Sequence, residues 1–187
     1  MLQKVGVDID GVLTDERDQP WQRAIEEFFS LDGPVNQEAY DFREVYDLTD
    51  EQLWNFYSRQ GEQVFRNLDP WVEARDTLCY LKEEGIEISM VTARPPDFFQ
   101  ITAEWLEQHR IPYDNLVHDR NKAPVCQRLQ VELFVEDNLE NALAIADCGI
   151  KVFLIDKHYN RSCEEGLIRV NDWQEVRMNL DDILGKG

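Results

Sequence analysis

The sequence is poor in cysteine, in basic residues and in long apolar runs, and each shortage removes a class of protein. Its four cysteines, Cys79, Cys126, Cys148 and Cys163, show no C-x-x-C spacing. A zinc site or a redox pair is thereby set aside, and free thiols in a cytoplasmic protein are the expectation. Nineteen Lys and Arg stand against 38 Asp and Glu, a formal net charge of −19. Such a surface repels nucleic-acid polymers and anionic membranes. No apolar run approaches the roughly 20 residues of a membrane span. The first strand pattern starts almost at Met1, so no secretory leader is expected. Internal repeats, low-complexity tracts and long linkers are lacking too. What is abundant is carboxylate, and clustered carboxylates suit a metal-dependent site. At 187 residues the chain has the length for one domain with a modest insertion and a sizeable core. A homodimer is left open.

The stretch Lys4-Val5-Gly6-Val7-Asp8-Ile9-Asp10-Gly11-Val12-Leu13-Thr14-Asp15 organises the rest. Its first half reads as a buried parallel strand, and the aspartates stand where the strand stops. Ligands of open α/β sheets bind at the carboxyl ends of the strands. Alternation along a strand puts Asp8 and Asp10 on one side and Ile9 on the other. Two carboxylates held so close repel unless a cation lies between them, and Mg²⁺, a hard ion with oxygen ligands, is the natural partner. An ordinary β-turn after a strand is the competing reading, since Asp and Gly both favour turns.

Along the chain, Trp21, Ala24, Ile25, Phe28 and Phe29 form one stripe of a helix over Gln19 to Leu31. An aromatic-rich connection follows, and Thr49-Asp50-Glu51-Gln52 opens a second helix as a capping box. Asn67-Leu68-Asp69-Pro70 breaks the chain. Beyond the break, helical patterns (Trp71 to Glu84, Phe98 to Trp105, Pro124 to Leu129, Leu139 to Ala146, Trp173 to Leu184) alternate with strand patterns. The strands are Ile86 to Val91, Leu116 to His118, Leu133 to Val135 and Val152 to Ile155. That alternation predicts an α/β fold, a three-layer Rossmann-like parallel sheet with helices on both faces. Residues 1–15 and 71–187 form the catalytic core, and residues 16–70 form a helical cap inserted after the first strand.

Three further strand ends carry chemistry. Thr92 closes an apolar strand ahead of a helix, where its hydroxyl and the Ala93 amide can bind a phosphate oxygen; an ordinary strand-ending threonine is the plainer reading of Thr92 alone. Gly11 is counted with them as phosphate-binding. Arg94 adds a charge-assisted contact to phosphate or substrate, or else a surface ion pair. Lys122 follows the His118-Asp119-Arg120-Asn121 loop, where it would neutralise a nucleophile and an incoming phosphate; a solvated loop lysine is the plainer reading. Leu133-Phe134-Val135-Glu136-Asp137-Asn138 again runs an apolar strand into carboxylates, although a helix N-cap accounts for such residues as well.

Taken together, D-I-D-G-V-L-T-D, V-T-A-R-P, Lys122 and V-E-D-N resemble the four motifs of the haloacid dehalogenase superfamily phosphatases. The likeness is greatest to the branch holding the 5′(3′)-deoxyribonucleotidases and their bacterial relatives. The resemblance implies Asp8 as nucleophile, Asp10 as general acid/base, and Thr92 and Lys122 on the phosphoryl oxygens. It implies Mg²⁺ held by Asp8, Asp137 and the backbone carbonyl of Asp10. Glu136 stands where the family has Asp or Gly, which makes it a residue behind the metal ligands, pointing away from Asp137 if the strand stays regular. The substrate implied is a small phosphomonoester, a (deoxy)nucleoside monophosphate foremost. A sugar phosphate is the alternative. The aromatic cap residues Phe28, Phe29, Tyr40, Phe42, Tyr46, Trp54, Phe56 and Tyr57 either stack a base or pack a core. A receiver-like phospho-acceptor and a non-catalytic binding protein on the same fold are the other classes. The first lacks a helical insert after its first strand, and the second does not need the full set of catalytic residue types.

Overall fold

A computed structural model describes residues 2–161 and 166–186. Six parallel strands form one sheet: β1 (Lys4–Val7), β2 (Glu87–Thr92), β3 (Asn115–His118), β4 (Leu133–Glu136), β5 (Lys151–Ile155) and β6 (Ile168–Val170). Their order is β3-β2-β1-β4-β5-β6, which places β1 between β2 and β4. From β1 the sheet grows to one side through β2 and to the other through β4. The carboxyl end of β1 is therefore the switch point where such sheets bind ligands.

Period-two alternation divides the core into two faces. Val5, Val7, Leu133, Val135, Phe153 and Ile155 join one buried cluster, with helices α5 (Val72–Glu83), α6 (Phe99–Gln108) and α9 (Trp173–Leu184). Phe134, Val152 and Leu154 join the other, under α7 (Lys122–Leu129) and α8 (Leu139–Ala146). Each fully buried Val, Leu or Phe on these faces stabilises the sheet by roughly 1.5–3 kcal/mol. These contacts make β1 a central, rigid platform for the turn at its carboxyl end.

Between β1 and α5 the chain is helical: α1 (Pro20–Phe29), α2 (Phe42–Tyr46), α3 (Asp50–Phe56), a π-helical stretch Tyr57–Gly61 and α4 (Glu62–Asn67). The capping box opens α3: Thr49 accepts from the Gln52 amide at 3.2 Å, and Gln52 accepts from the Thr49 amide at 2.9 Å. Entry and exit of this segment run side by side. Asp15 donates its amide to Asp69 O at 2.7 Å, and Trp71 donates to Leu13 O at 2.9 Å. Trp21 gathers the rings of Phe42, Phe56, Tyr57 and Phe65, and Phe28 and Phe29 pack on Phe56. Most aromatics in the segment are thus spent on its own core. Tyr46 is buried and donates to Glu26, whereas Trp54 is exposed.

Three elements depart from the sequence expectation. Helix α2 lies where only a connection is expected, because five residues are too few to show a stripe; Asp41 caps it by accepting from the Arg43 amide. Strand β6 is an addition, three residues long at the sheet edge and too short for alternation to register. Helix α7 starts at Lys122 instead of Pro124. Cys79, Cys126 and Cys148 are free thiols, and Cys163 lies outside the described residues. Among the described residues no helix is long and apolar enough to cross a membrane.

Candidate active site

The strand ends of β1, β2 and β4 converge with the first residue of α7. Asp8 follows Gly6 onto the α7 face of the sheet, and its amide still pairs with Val135 O at 3.0 Å. Glu136, two residues after Phe134, points to the same face. Lys122 Nζ lies between them, 2.8 Å from Asp8 Oδ1 and 2.7 Å from Glu136 Oε2, with its side chain 1% exposed. Glu136 also accepts from the Asn138 amide at 3.1 Å. The predicted divergence of Glu136 and Asp137 does not occur. The strand ends at Glu136 and the backbone bends at Asp137, which brings the second carboxylate round into the cluster.

Asp8, Glu136 and Asp137 each present an oxygen within 4.8 Å of the others'. Ionised, they carry three negative charges against the single charge of Lys122, a surplus that a divalent cation would offset. Asp137 Oδ1 is buried and makes no hydrogen bond, an orphaned acceptor of the kind a bound cation satisfies. Hard carboxylate oxygens such as those of Asp8 and Asp137 suit Mg²⁺. The donor set fits the ion.

Electrostatics agree with the geometry. Burial, opposed by Lys122 and reinforced by Glu136 and Asp10, pushes Asp8 up to about 7. Burial, then the Asp8 charge, pushes Asp137 up to about 7, against a hydrogen bond from Tyr159. Glu136 is raised as well, by burial first and despite Lys122. Burial works against the Lys122 cation, but Asp8 and Glu136 outweigh it and hold the lysine charged. Without a cation beyond Lys122, the site keeps protons that ordinary carboxylates would have lost.

Asp10 lies beyond the regular strand, so alternation no longer sets its direction. Strand β1 ends at Val7, and Ile9 O then accepts from the amides of Val12, Leu13 and Thr14, a tight turn that breaks the alternation. The Asp10 carboxylate meets Arg94 instead: Nε donates to Oδ2 at 2.8 Å and Nη2 to Oδ1 at 2.6 Å. Arg94 is consequently buried against Asp10, not open on the surface. Thr92 is fully buried, and its hydroxyl accepts from the Arg94 amide at 3.2 Å; Ala93 is half-buried beside it. Gly11 has its amide taken within its own loop, by Thr14 Oγ1 at 2.9 Å and Glu16 Oε1 at 3.0 Å. Its φ is +75°, and a Cβ there would lie 2.1 Å from Asp137 Oδ2. Glycine at this position makes room for a carboxylate.

Sequence reasoning misses the residues that brace this cluster. Tyr159 donates to Asp137 Oδ2. Asn160 donates to Asp137 O at 2.6 Å and Ile155 O at 2.8 Å. Both belong to the turn after β5, where a polar run Asp156-Lys157-His158-Tyr159-Asn160 at a strand end is the available signal. Tyr40, from the helical segment, packs edge-on against Tyr159 at 5.2 Å. Its ring is half exposed, yet its phenol is driven upward by burial and by Asp137, Asp8 and Glu136. Tyr57 is raised by burial and then by Asp10. Of the segment's aromatics, these two feel the charge of the site's carboxylates.

A family model described as "5′ nucleotidase, deoxy (Pyrimidine), cytosolic type C protein" matches residues 2–183. The chain is 29% identical over 184 residues to a Clostridium acetobutylicum protein named Nucleotidase CA_C3379, covering 96% of this chain and 94% of that one. Among solved structures it is similar to SP0104 from Streptococcus pneumoniae, titled a hydrolase of the haloacid dehalogenase-like family. That match has a TM-score of 0.71 and 15% identity, and covers 96% and 98% of the two chains. It is also similar to CbbY from Rhodobacter sphaeroides in complex with phosphate, at TM-score 0.66 and 19% identity, covering 94% and 96%. At those identities the two structures speak for the fold alone.

Proposed function

The chain belongs to the family of 5′-nucleotidases, deoxy (pyrimidine), cytosolic type C, a phosphoric monoester hydrolase on the haloacid dehalogenase-like fold, and from that premise we propose a specific reaction. The protein is a Mg²⁺-dependent phosphatase of a (deoxy)nucleoside monophosphate that works through an aspartyl-phosphate on Asp8. The observation that carries this reading is the buried Asp8–Lys122–Glu136 chain beside the orphaned Asp137 oxygen, at the switch point of the sheet. Residues 1–15 and 71–187 act as the catalytic core, and residues 16–70 as the cap that closes over the substrate.

Asp8 and Asp137 would hold the metal through their side chains and Asp10 through its backbone carbonyl, while Glu136 orients Lys122 from behind. Bound there, Mg²⁺ supplies positive charge against the negative charge that builds on the transferring group. An Asp8 oxygen forms a bond to phosphorus as the ester P–O bond breaks. The proton on Asp10 passes to the leaving oxygen, which departs as the nucleoside hydroxyl. Water then attacks phosphorus and yields its proton to Asp10, the bond to Asp8 breaks, and phosphate leaves. Lys122, Thr92 and the Ala93 amide hold the phosphoryl oxygens throughout; Gly11 serves by admitting Asp137 rather than by binding phosphate. Burial holds Asp8 at about 7 even with Lys122 beside it, so the further positive charge of a bound cation would keep it ionised as a nucleophile.

Phosphate release over a panel of nucleoside monophosphates and sugar phosphates, with Mg²⁺ or with chelator, tests the proposal. Turnover of a nucleoside monophosphate at least tenfold above every sugar phosphate, abolished by chelator and by Asp8→Asn, is the expected result. Preference for a sugar phosphate would overturn the substrate class. More than a few per cent of wild-type turnover in folded Asp8→Asn would overturn the nucleophile.

A further inference from the structure

Arg94 is fixed from every side, and none of its contacts leads out of the protein. Its side chain is 1% exposed. Nε and Nη2 occupy both oxygens of Asp10 in the fork geometry that only a guanidinium provides. Nη1 donates to Thr102 Oγ1 at 3.2 Å, and that hydroxyl donates in turn to Phe98 O at 2.9 Å. The guanidinium carbon lies 4.2 Å from the ring centre of Phe65, on α4, and 5.8 Å from that of Trp105, on α6. The backbone is held too: His118 Nδ1 lies 3.1 Å from the carbonyls of both Arg94 and Pro95. Burying a guanidinium costs several kcal/mol unless a carboxylate and good hydrogen bonds offset it. The carboxylate that offsets it here is Asp10, 84 residues away in sequence.

We propose that Arg94 is a positioning residue for Asp10. It aims the carboxylate that exchanges a proton with the leaving oxygen, and through Phe65 it makes that aim depend on the helical segment above the site. The inference rests on Asp10 being the general acid/base. Proton transfer needs the carboxyl oxygen within roughly 2.6–3.2 Å of its partner. Asp10 stands in a turn, its side chain 32% exposed, so the strand no longer directs it. The arginine fork replaces that direction. When one Asp10 oxygen carries the proton outward, the other still accepts from Nη2 or Nε, so the carboxyl stays oriented through the step. Arg94 is turned inward rather than toward a substrate: three of its five N–H groups are engaged inside the protein, and its side chain is 1% exposed.

The test compares leaving groups. The ratio kcat/KM covers the steps up to departure of the leaving group, so it isolates the proton donated to that group. A nucleoside 5′-monophosphate releases an alkoxide-like oxygen that needs the proton, whereas p-nitrophenyl phosphate releases a phenolate that does not. Arg94→Gln is expected to lower kcat/KM about 10–100-fold on the nucleotide, part of the 10²–10⁴-fold that general acid catalysis supplies, and less than about threefold on p-nitrophenyl phosphate. Added to Asp10→Asn it should cost nothing more on either substrate. Arg94→Lys should not restore the loss, since an ammonium makes no fork. Thr102→Val leaves the ion pair in place and serves if Arg94→Gln does not fold; it should show the same selectivity, about threefold on the nucleotide alone. Equal losses on both substrates, or losses that add to those of Asp10→Asn, would overturn the positioning role. If Asp10→Asn discriminates between the substrates and neither Arg94→Gln nor Thr102→Val does, the role fails while the acid assignment stands. If Asp10→Asn itself does not discriminate, both fall.

Discussion

Asp137→Asn isolates the electrostatic cost of keeping the carboxylate cluster assembled without a bound cation. In the ion-free protein, burial and the neighbouring Asp8 charge raise Asp137 from its ordinary 3.8 to about 7. The folded chain therefore keeps this proton up to about pH 7, while the unfolded chain releases it near 3.8. Between these values folding takes up a proton, so stability falls as pH rises; above about 7 the whole cost is present, and below 3.8 none of it is. At 1.36 kcal/mol per pH unit, the cost is about 2 kcal/mol at pH 5 and about 4 kcal/mol at pH 7.5. Asparagine removes the titration. The Tyr159 hydrogen bond is stronger to the ionised carboxylate than to the acid, and that difference is already contained in the value of about 7. The stabilisation by Asp137→Asn should then be about 2 kcal/mol larger at pH 7.5 than at pH 5, or about 4–8 °C in Tm for a chain of this size. Thermal melts of both proteins in chelator, at the two pH values, measure it. The wild type should recover stability at pH 7.5 on adding Mg²⁺, and the variant should not. A gain from Asp137→Asn that does not grow with pH would refute the reasoning.

Two other substitutions probe the same cluster. Lys122→Met strands Asp8 and Glu136 without their shared cation and should destabilise the protein by about 3–5 kcal/mol at neutral pH; a denaturant titration showing less than about 1 kcal/mol would mean that the pair is relieved in another way. Gly11→Ala sets a Cβ against Asp137 Oδ2 and asks alanine to adopt φ +75°. Its strain should cost about 1–3 kcal/mol, and calorimetric titration should show Mg²⁺ affinity reduced at least tenfold; wild-type affinity would remove Asp137 from the metal site.

Much of the site is legible in the chain itself. An apolar run with period two announces a strand, and in a parallel sheet every strand delivers its last residues to the same edge. That rule alone collects Asp8, Thr92, Glu136 and Asp137, and it sets Lys122 at the opening of the helix packed beside them. It is silent once the strand has ended, because alternation no longer says where a side chain points. Asp10, two residues after Asp8, turns to Arg94 because Ile9 O closes a tight turn. Asp137 comes round to join Glu136 because the backbone bends after β4. Gly11 yields its amide to its own loop, Tyr159 reaches Asp137 from the turn after β5, and aromatics of the helical segment spend themselves on Trp21. Each of those partnerships joins groups by their distance in space and by the rotamers that packing leaves them. Local period determined which residues arrive at the edge of the sheet; which of them hold one another there was decided by tertiary packing.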